Sequence, residues 1–358
     1  MNKNARYYYE AALELLLPVE ETPEIDGFTL KLGKKNYFFY GSATPINDSG
    51  SMLVARNKYC MNKTLERAGL PVPKSDFVHV SEYLQEKMEK KIAPLSYPLV
   101  VKPQEGKLGR GVLCNIKTLA QLKNYMSKGF LSDDYLLVEE FHGNLNSYRV
   151  LVLNGRVLAV IQRYPSHIIG DGVHTVQQLI ELTNIERTQI SDAYGPITVD
   201  EECLIRLDEL GITLDYIPFA GEWLTLGYTC NATRGGTYTS LGNKICKENR
   251  RLMATAAKAL SLELVGFDIQ CADINRPIQS TAGVIIEANA VGPSIRIHES
   301  PVSGIPVKVS KKIIRRLIYR HPLSYLAALY KNPRSGVYLR ALILVAICGL
   351  GYYGFIGF

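Results

Sequence analysis

The sequence predicts an α+β fold in which helices are interspersed among antiparallel strands instead of following regular βαβ units. Three observations carry this. Asn154-Gly155 joins the apolar runs "YRVLVL" and "RVLAVIQR", a strong signal for a two-residue hairpin. A Gly-rich stretch lies between "PLVVKP" and "GVLCNI", so it links strand to strand. Thr175 followed three residues later by Gln178 makes a capping box for the helix "VQQLIELTN". The other elements follow in order. "NKYCMNKTLERAGLPVP" reads as a helix stopped at Gly69, with Pro71 and Pro73 preventing continuation. "YLLVEE" is expected to join the two hairpin runs as a three-stranded meander. "NRRLMATAAKALSL" supplies an amphipathic helix, and "LVGFDIQCADI" and "GVIIEANA" read as two further strands.

A chain of 358 residues with 47% hydrophobic content can bury a sizeable core in two or three lobes. Its seven cysteines are scattered and never form a Cys-x-x-Cys pair, which argues against a disulfide framework and a zinc ribbon and for a reducing compartment, the cytoplasm. The N-terminal stretch lacks the apolar core and cleavage site of a signal peptide, so the body is expected to stay unexported. Of the net charge of +7, residues 300–358 contribute nine Lys or Arg and no Asp or Glu, leaving the rest slightly acidic. A basic end implies an anionic partner, membrane or nucleic acid. The uncharged run "ALILVAICGLGYYGFIGF" favours an anionic membrane surface and no nucleic acid: it is long enough for a short span or an interfacial helix, with basic residues only on its N-terminal side. The alternative is a terminal helix packed on the body or on a partner subunit of a homo-oligomer. Just before it, Val309, Ile313, Ile314, Leu317 and Ile318 recur at helical spacing, while Lys311, Lys312, Arg315 and Arg316 form like-charge pairs on another side. The expected segments are 1–57, an N-terminal region; 58–140 and 141–320, two lobes; and 321–358, the basic apolar tail.

The Gly-rich stretch "YPLVVKPQEGKLGRGVL" is not a familiar phosphate loop. Val112 stands where a Walker A motif needs Lys, and Gly106, Gly109 and Gly111 lead into a strand, where a dinucleotide fingerprint requires a helix. A flexible hairpin lid remains, able to bring backbone N–H groups, Lys107 and Arg110 to phosphate oxygens; the alternative is an ordinary surface turn. Downstream, strand alternation puts Asp268 centrally on one strand and Glu287 and Asn289 on one face of the next. Such hard oxygen donors suit Mg²⁺, which binds substrate phosphates and keeps part of its water shell.

In order and spacing, Lys58, "YPLVVKP", the Gly-rich stretch, "LLVEEF", "FDI" and "IIEANA" resemble the ATP-grasp carboxylate:amine ligases, above all the ATP-grasp part of cyanophycin synthetases and bifunctional glutathione synthetases. The resemblance runs from about Phe28 to Ile318 and is supported by "NATRGG" and "SIRIHESPVSGIPVKV". It implies an ATP-grasp fold, two α+β lobes gripping ATP between antiparallel sheets, with ATP and Mg²⁺ (or Mn²⁺), as two ions, for cofactors. By the same resemblance Lys58 and Lys102 reach the phosphates, and Gly106, Lys107, Gly109, Arg110 and Gly111 form the lid. Glu139, Glu140, Phe141 and His142 match the adenine hinge, Ser147 or Asn146 stands where an acidic ribose contact is usual, and Asp268, Glu287 and Asn289 match the metal ligands. Arg163, Arg234 and Arg296 are candidates for the acceptor carboxylate or the developing phosphate charge, with a surface salt bridge as the alternative for each. "NAVGPSIRIH" replaces the family's usual Asn-Ala-x-Pro-Gly order, and a basic apolar tail stands where cyanophycin synthetases continue into a Mur-ligase-like half, so cyanophycin synthesis itself is not implied. The implied activity joins a small-molecule carboxylate, activated as an acyl phosphate, to an amine. A phosphotransferase and a non-catalytic nucleotide-binding module are the competing readings.

Overall fold

Four sheets, antiparallel in every pairing but one, organise the residues that the computed structural model describes, namely 1–104, 111–143, 145–192 and 194–356. The chain divides into two compact units that do not follow sequence order. One comprises 1–47, 291–299 and 308–358, and the other 48–290 and 300–307. The expected segments therefore do not coincide with these units: 48–57 falls with the larger unit, and 291–299 and 308–320 fall with the N-terminal residues.

In the smaller unit, β1 (Val19–Thr22), β2 (Gly27–Leu32) and β3 (Lys35–Phe39) form a meander. Its apolar face stacks Phe28 on Phe39 at 4.5 Å, and Tyr8 from the helix Lys3–Glu14 tilts against Phe39 at 5.4 Å. The helix Ser310–Arg320 turns Ile313, Ile314, Leu317 and Ile318 inward, so the apolar stripe read from the sequence is internal, and Lys311 on its outer side pairs with Glu14 at 2.9 Å. Next comes the helix Pro322–Lys331, with Pro322 at its first turn, where a missing N–H costs nothing. The tyrosine of β3, Tyr37, hydrogen-bonds His321 at its start, and Tyr325 donates its hydroxyl to the Leu15 carbonyl at 3.0 Å. The last helix is Gly336–Ile356. No single helix among the described residues is long and apolar enough to cross a membrane; Pro322–Lys331 and Gly336–Leu350 meet that length and composition only as a pair, bent by 108°.

The larger unit holds two main sheets. The first has the order β4-β7-β5-β6, from β4 (Ser75–His79), β5 (Leu99–Pro103), β6 (Leu113–Ile116) and β7 (Tyr135–Glu140). Val78, Leu99, Val101, Leu136 and Val138 turn one face of it onto a core completed by Leu122 and Met126 of the helix Leu119–Gly129. The second has the order β14-β13-β8-β9-β12-β15, from β8 (Asn146–Leu153), β9 (Arg156–Tyr164), β12 (Thr237–Leu241), β13 (Leu264–Cys271), β14 (Val284–Asn289) and β15 (Gly304–Ile305). Its apolar face, with Val150, Val152, Val160, Val265, Phe267 and Ile269, packs with the helices Lys58–Arg67 and Lys247–Ala259. Asn154 and Gly155 both have positive φ, 48° and 70°, as the tight turn between β8 and β9 requires. Gly69 ends its helix at φ 71°.

One expectation is corrected. "YLLVEE" does not complete a meander with the two runs after it: β7 belongs to the four-stranded sheet and β8 and β9 to the six-stranded one. The connection from Glu140 to Asn146 is too long for a tight hairpin turn and carries the chain from sheet to sheet. A third cluster surrounds the pair β10 (His167–Ile169) and β11 (Trp223–Thr225) with the helices Val176–Ile190 and Glu201–Leu210. The capping box there is formed, with Gln178 N donating to Thr175 Oγ1 at 3.3 Å and Thr175 N to Gln178 Oε1 at 3.0 Å.

Candidate active site

A row of charged side chains crosses the polar face of the six-stranded sheet. Glu287 on β14 pairs with Asp268 on β13, and Asp268 with Arg149 on β8. Residues directly opposite in antiparallel strands share a face, so the three side chains are neighbours there, away from the apolar core. The Asp268 carboxylate is buried and doubly clamped. Arg149 donates through Nε and, at 3.1 Å, through Nη2; Arg163 on β9 donates through Nη1 at 3.1 Å. Burial alone would raise this carboxyl, but the two guanidinia outweigh it and hold it below the ordinary carboxylate range. Arg163 also donates to Ser147 Oγ at 3.0 Å, so the serine expected at the ribose position is engaged in orienting Arg163.

Glu287 is the more open of the two acids, with 32% of its side chain exposed, and Lys58 Nζ stands 3.9 Å from it. Asn289, two residues along the same face, donates its amide to the Gly266 carbonyl at 3.4 Å, which leaves the side-chain oxygen as the acceptor atom. Among the described residues no group of three His, Cys, Asp or Glu gathers round one point. A cation here would rest on two carboxylates and one amide. That donor set is all hard oxygen and incomplete by itself, which fits Mg²⁺ completed by water and phosphate. Asp268 fits least well, because both its oxygens already accept from arginine.

The four-stranded sheet contributes a second charged pair. Lys102 on β5 and Glu139 on β7 are both buried and 2.6 Å apart, on the face opposite the Leu99 and Val138 core. Glu139 therefore acts through its carboxylate on Lys102. Glu140 points the other way and accepts the Ser96 amide at 2.9 Å. In the connection to β8, the amides of Glu140 and Phe141 donate to the Lys74 and Pro98 carbonyls, so adenine contacts from these two residues would have to come from their carbonyls. The Phe141 ring meets Tyr228 edge-on at 5.2 Å. Burial lowers the His142 imidazole, partly offset by Glu140 and Glu139, which favours its neutral form. Of the expected lid, Gly106, Lys107, Gly109 and Arg110 lie outside the described residues. Gly111 has φ 64°, and a Cβ there would come within 2.9 Å of Pro103.

Arg234 lies in a small polar cleft lined by Ser166, Thr198, Asp200, Glu202 and Thr229, within electrostatic reach of Cys114 on β6. It contacts Asp200 Oδ2 at 2.6 Å and Glu202 Oε2 at 3.4 Å. Asp200 caps the helix Glu201–Leu210, and the other Glu202 oxygen accepts the amides of Tyr228 and Thr229. The loop carrying Arg234 is pinned by the buried Arg187, which donates to the carbonyls of Gly195, Ala232 and Gly236. Arg296 opens the short helix Arg296–Glu299 in the smaller unit, where Asn4 Oδ1 accepts the amides of Ile295 and Arg296. Ser147, Arg163, Asp268, Glu287 and Asn289 thus share one sheet face, Lys58 reaches Glu287 from the start of its helix, and Lys102 and Glu139 lie on the other sheet. Arg149 was missing from the sequence reading. Its place two residues from Ser147 on an alternating strand was the available signal.

Residues 55–214 match the RimK-like ATP-grasp domain family. The cyanophycin synthetase of Crocosphaera subtropica is 32% identical over 282 residues, covering 77% of this chain and 32% of that protein. The glutathione biosynthesis bifunctional protein of Mannheimia succiniciproducens is 28% identical over 325 residues, covering 86% of this chain and 41% of that protein. The chain therefore spans only about a third to two fifths of the length of these curated relatives. A crystal structure of a bifunctional glutathione synthetase from Pasteurella multocida shares the fold at a TM-score of 0.59 and 23% identity, over 89% of this chain and 44% of that one. Residues 55–214 therefore carry a RimK-like ATP-grasp domain, and the chain shares its fold with that glutathione synthetase structure.

Proposed function

We propose that the protein is an ATP- and Mg²⁺-dependent ligase that activates a carboxylate as an acyl phosphate and joins it to an amine, as in amino-acid or peptide ligation. The observation that carries this reading is the row Glu287, Asp268 and Arg149 with Arg163 on the same face and the Lys58 ammonium 3.9 Å from Glu287, which brings metal-type oxygen donors and phosphate-type cations together. Glu287, Asn289 and Asp268 would hold Mg²⁺, which supplies neutralisation of phosphate charge when bound. Lys58 and Lys102 would bind the phosphates of ATP. Arg163, and Arg149 with it, would meet the transferring phosphoryl group with planar N–H donors. A carboxylate oxygen of the first substrate attacks the γ-phosphorus and ADP leaves. The amine nitrogen then attacks the acyl carbon, inorganic phosphate leaves with the C–O electron pair, and the nitrogen loses a proton. No protein nucleophile is needed; the residues orient the reactants and stabilise charge. Arg234 would serve the carboxylate of a substrate.

The test is a screen of amino acids and short peptides for ADP and phosphate release, with mass analysis of products. Phosphate release that requires both a carboxylate and an amine, with an amide product, supports the ligase. A stable phosphorylated product would mean a phosphotransferase, and nucleotide binding without turnover a non-catalytic module.

A second reading concerns location, namely attachment to the cytoplasmic face of an anionic membrane through the tail. It is favoured by the outward Lys312 and Arg315 and by the exposed apolar helix that follows them. Salt-sensitive pelleting with anionic vesicles tests it.

A further inference from the structure

We propose that the C-terminal helix Gly336–Ile356 is covered by lipid hydrocarbon, entered from a rim of basic residues at the preceding bend, and that the basic helix Ser310–Arg320 contributes only charge. This rests on attachment to an anionic membrane and adds how that attachment is made. All ten residues 341–350 are exposed, among them Leu342, Leu344, Val345, Ile347 and Leu350. Ten consecutive residues make almost three helical turns, so the exposed apolar surface runs right round the axis. A second protein would bury one stripe of such a helix and leave the rest in water, whereas hydrocarbon covers every side at once. An in-plane position at the interface suits a helix with one polar face, which this one lacks.

The charges mark the entry point. Lys331, Arg334 and Arg340 cluster at the bend between the two helices and are all exposed, and residues 341–358 carry no charged side chain. Anionic headgroups complement that rim, and Tyr330 and Tyr338 sit beside it with an apolar ring and a polar tip each, suited to the headgroup level. Residues 341–356 reach roughly 24 Å at the helical rise, against a hydrocarbon core of about 30 Å, long enough to penetrate it deeply. The helix Ser310–Arg320 cannot insert as well, because its apolar stripe is already buried in the smaller unit.

The full chain would be floated with phosphatidylcholine vesicles containing about 30% phosphatidylglycerol, at low salt and at about 1 M salt. The expected result is capture at low salt that persists in high salt once formed, and blue-shifted emission, quenched by brominated acyl chains, from a Leu350→Trp variant. Leu344→Arg with Ile347→Arg should cut the bound fraction by about tenfold or more, with the melting transition unchanged. Binding that is released by high salt and leaves Leu350→Trp unquenched would overturn hydrocarbon insertion while preserving attachment by charge. Absence of capture, with an oligomer that the double arginine variant dissociates, would overturn both and assign the helix to a second copy of the chain.

Discussion

Asp268 and Glu287 face each other across two strands, yet substitution should separate them. Asp268 sits between two guanidinia, so Asp268→Asn leaves buried positive charge uncompensated and is expected to cost about 3–5 kcal/mol in folding, read from the urea midpoint. Glu287 is partly exposed and only loosely paired with Lys58, so Glu287→Gln should change stability by under about 0.5 kcal/mol. It should lower Mg²⁺-dependent turnover by about a hundredfold or more. Equal stability losses in the two variants would contradict the clamp. The clamp also has a pH signature. Because the folded carboxyl lies below its unfolded value of about 3.9, its contribution is complete above that value and is lost as pH falls through the folded value. Asp268→Asn should therefore flatten the acid limb of a stability–pH curve. Glu287 and Asn289 were legible in the sequence because alternation places residues two apart on one face. The arginine clamp was not, because it depends on which strand lies beside β13.

At the scale of elements, local signals located the strands and the sheet partners escaped them. The Asn154-Gly155 turn, the Thr175 capping box and the Gly69 helix stop all stand where short-range chemistry puts them. β7 was assigned to the wrong sheet because apolar alternation fixes a strand's faces and says nothing of its neighbours. The Gly-rich stretch shows the same limit at its far end. Gly111 is held at φ 64° with Pro103 packed where a side chain would go, so it serves the geometry of the strand pair β5–β6 whatever the preceding residues do. Gly111→Ala should then destabilise by about 1–2 kcal/mol, from the left-handed backbone, before any effect on turnover. An alanine variant with an unchanged denaturant midpoint and reduced turnover would instead make Gly111 part of a moving lid.

At the scale of the whole molecule, the unit built from 1–47, 291–299 and 308–358 could not be read from sequence, since no periodic pattern links an N-terminal meander to a helix some 270 residues later. What joins them is the stripe Ile313, Ile314, Leu317 and Ile318, buried in the unit that also holds the inward residues Ala5, Tyr8 and Ala12 of the first helix. Fully burying each such aliphatic side chain is worth about 1.5–3 kcal/mol, so four together contribute on the order of 6–12 kcal/mol, as much as an entire small domain's net stability. Two truncations should therefore behave oppositely. A chain ending at Asn332 keeps the stripe, the Tyr37–His321 hydrogen bond and the Tyr325 contact to Leu15, and is expected to melt like the full chain and retain ATP-dependent turnover. A chain ending at Val309 loses all three, and residues 1–47 should become sensitive to limited proteolysis while the larger unit, with its separate cores, stays resistant. Protease-resistant N-terminal residues in the shorter chain would show that the meander and first helix stand without the basic helix, and that helix would then be free to present its apolar stripe elsewhere.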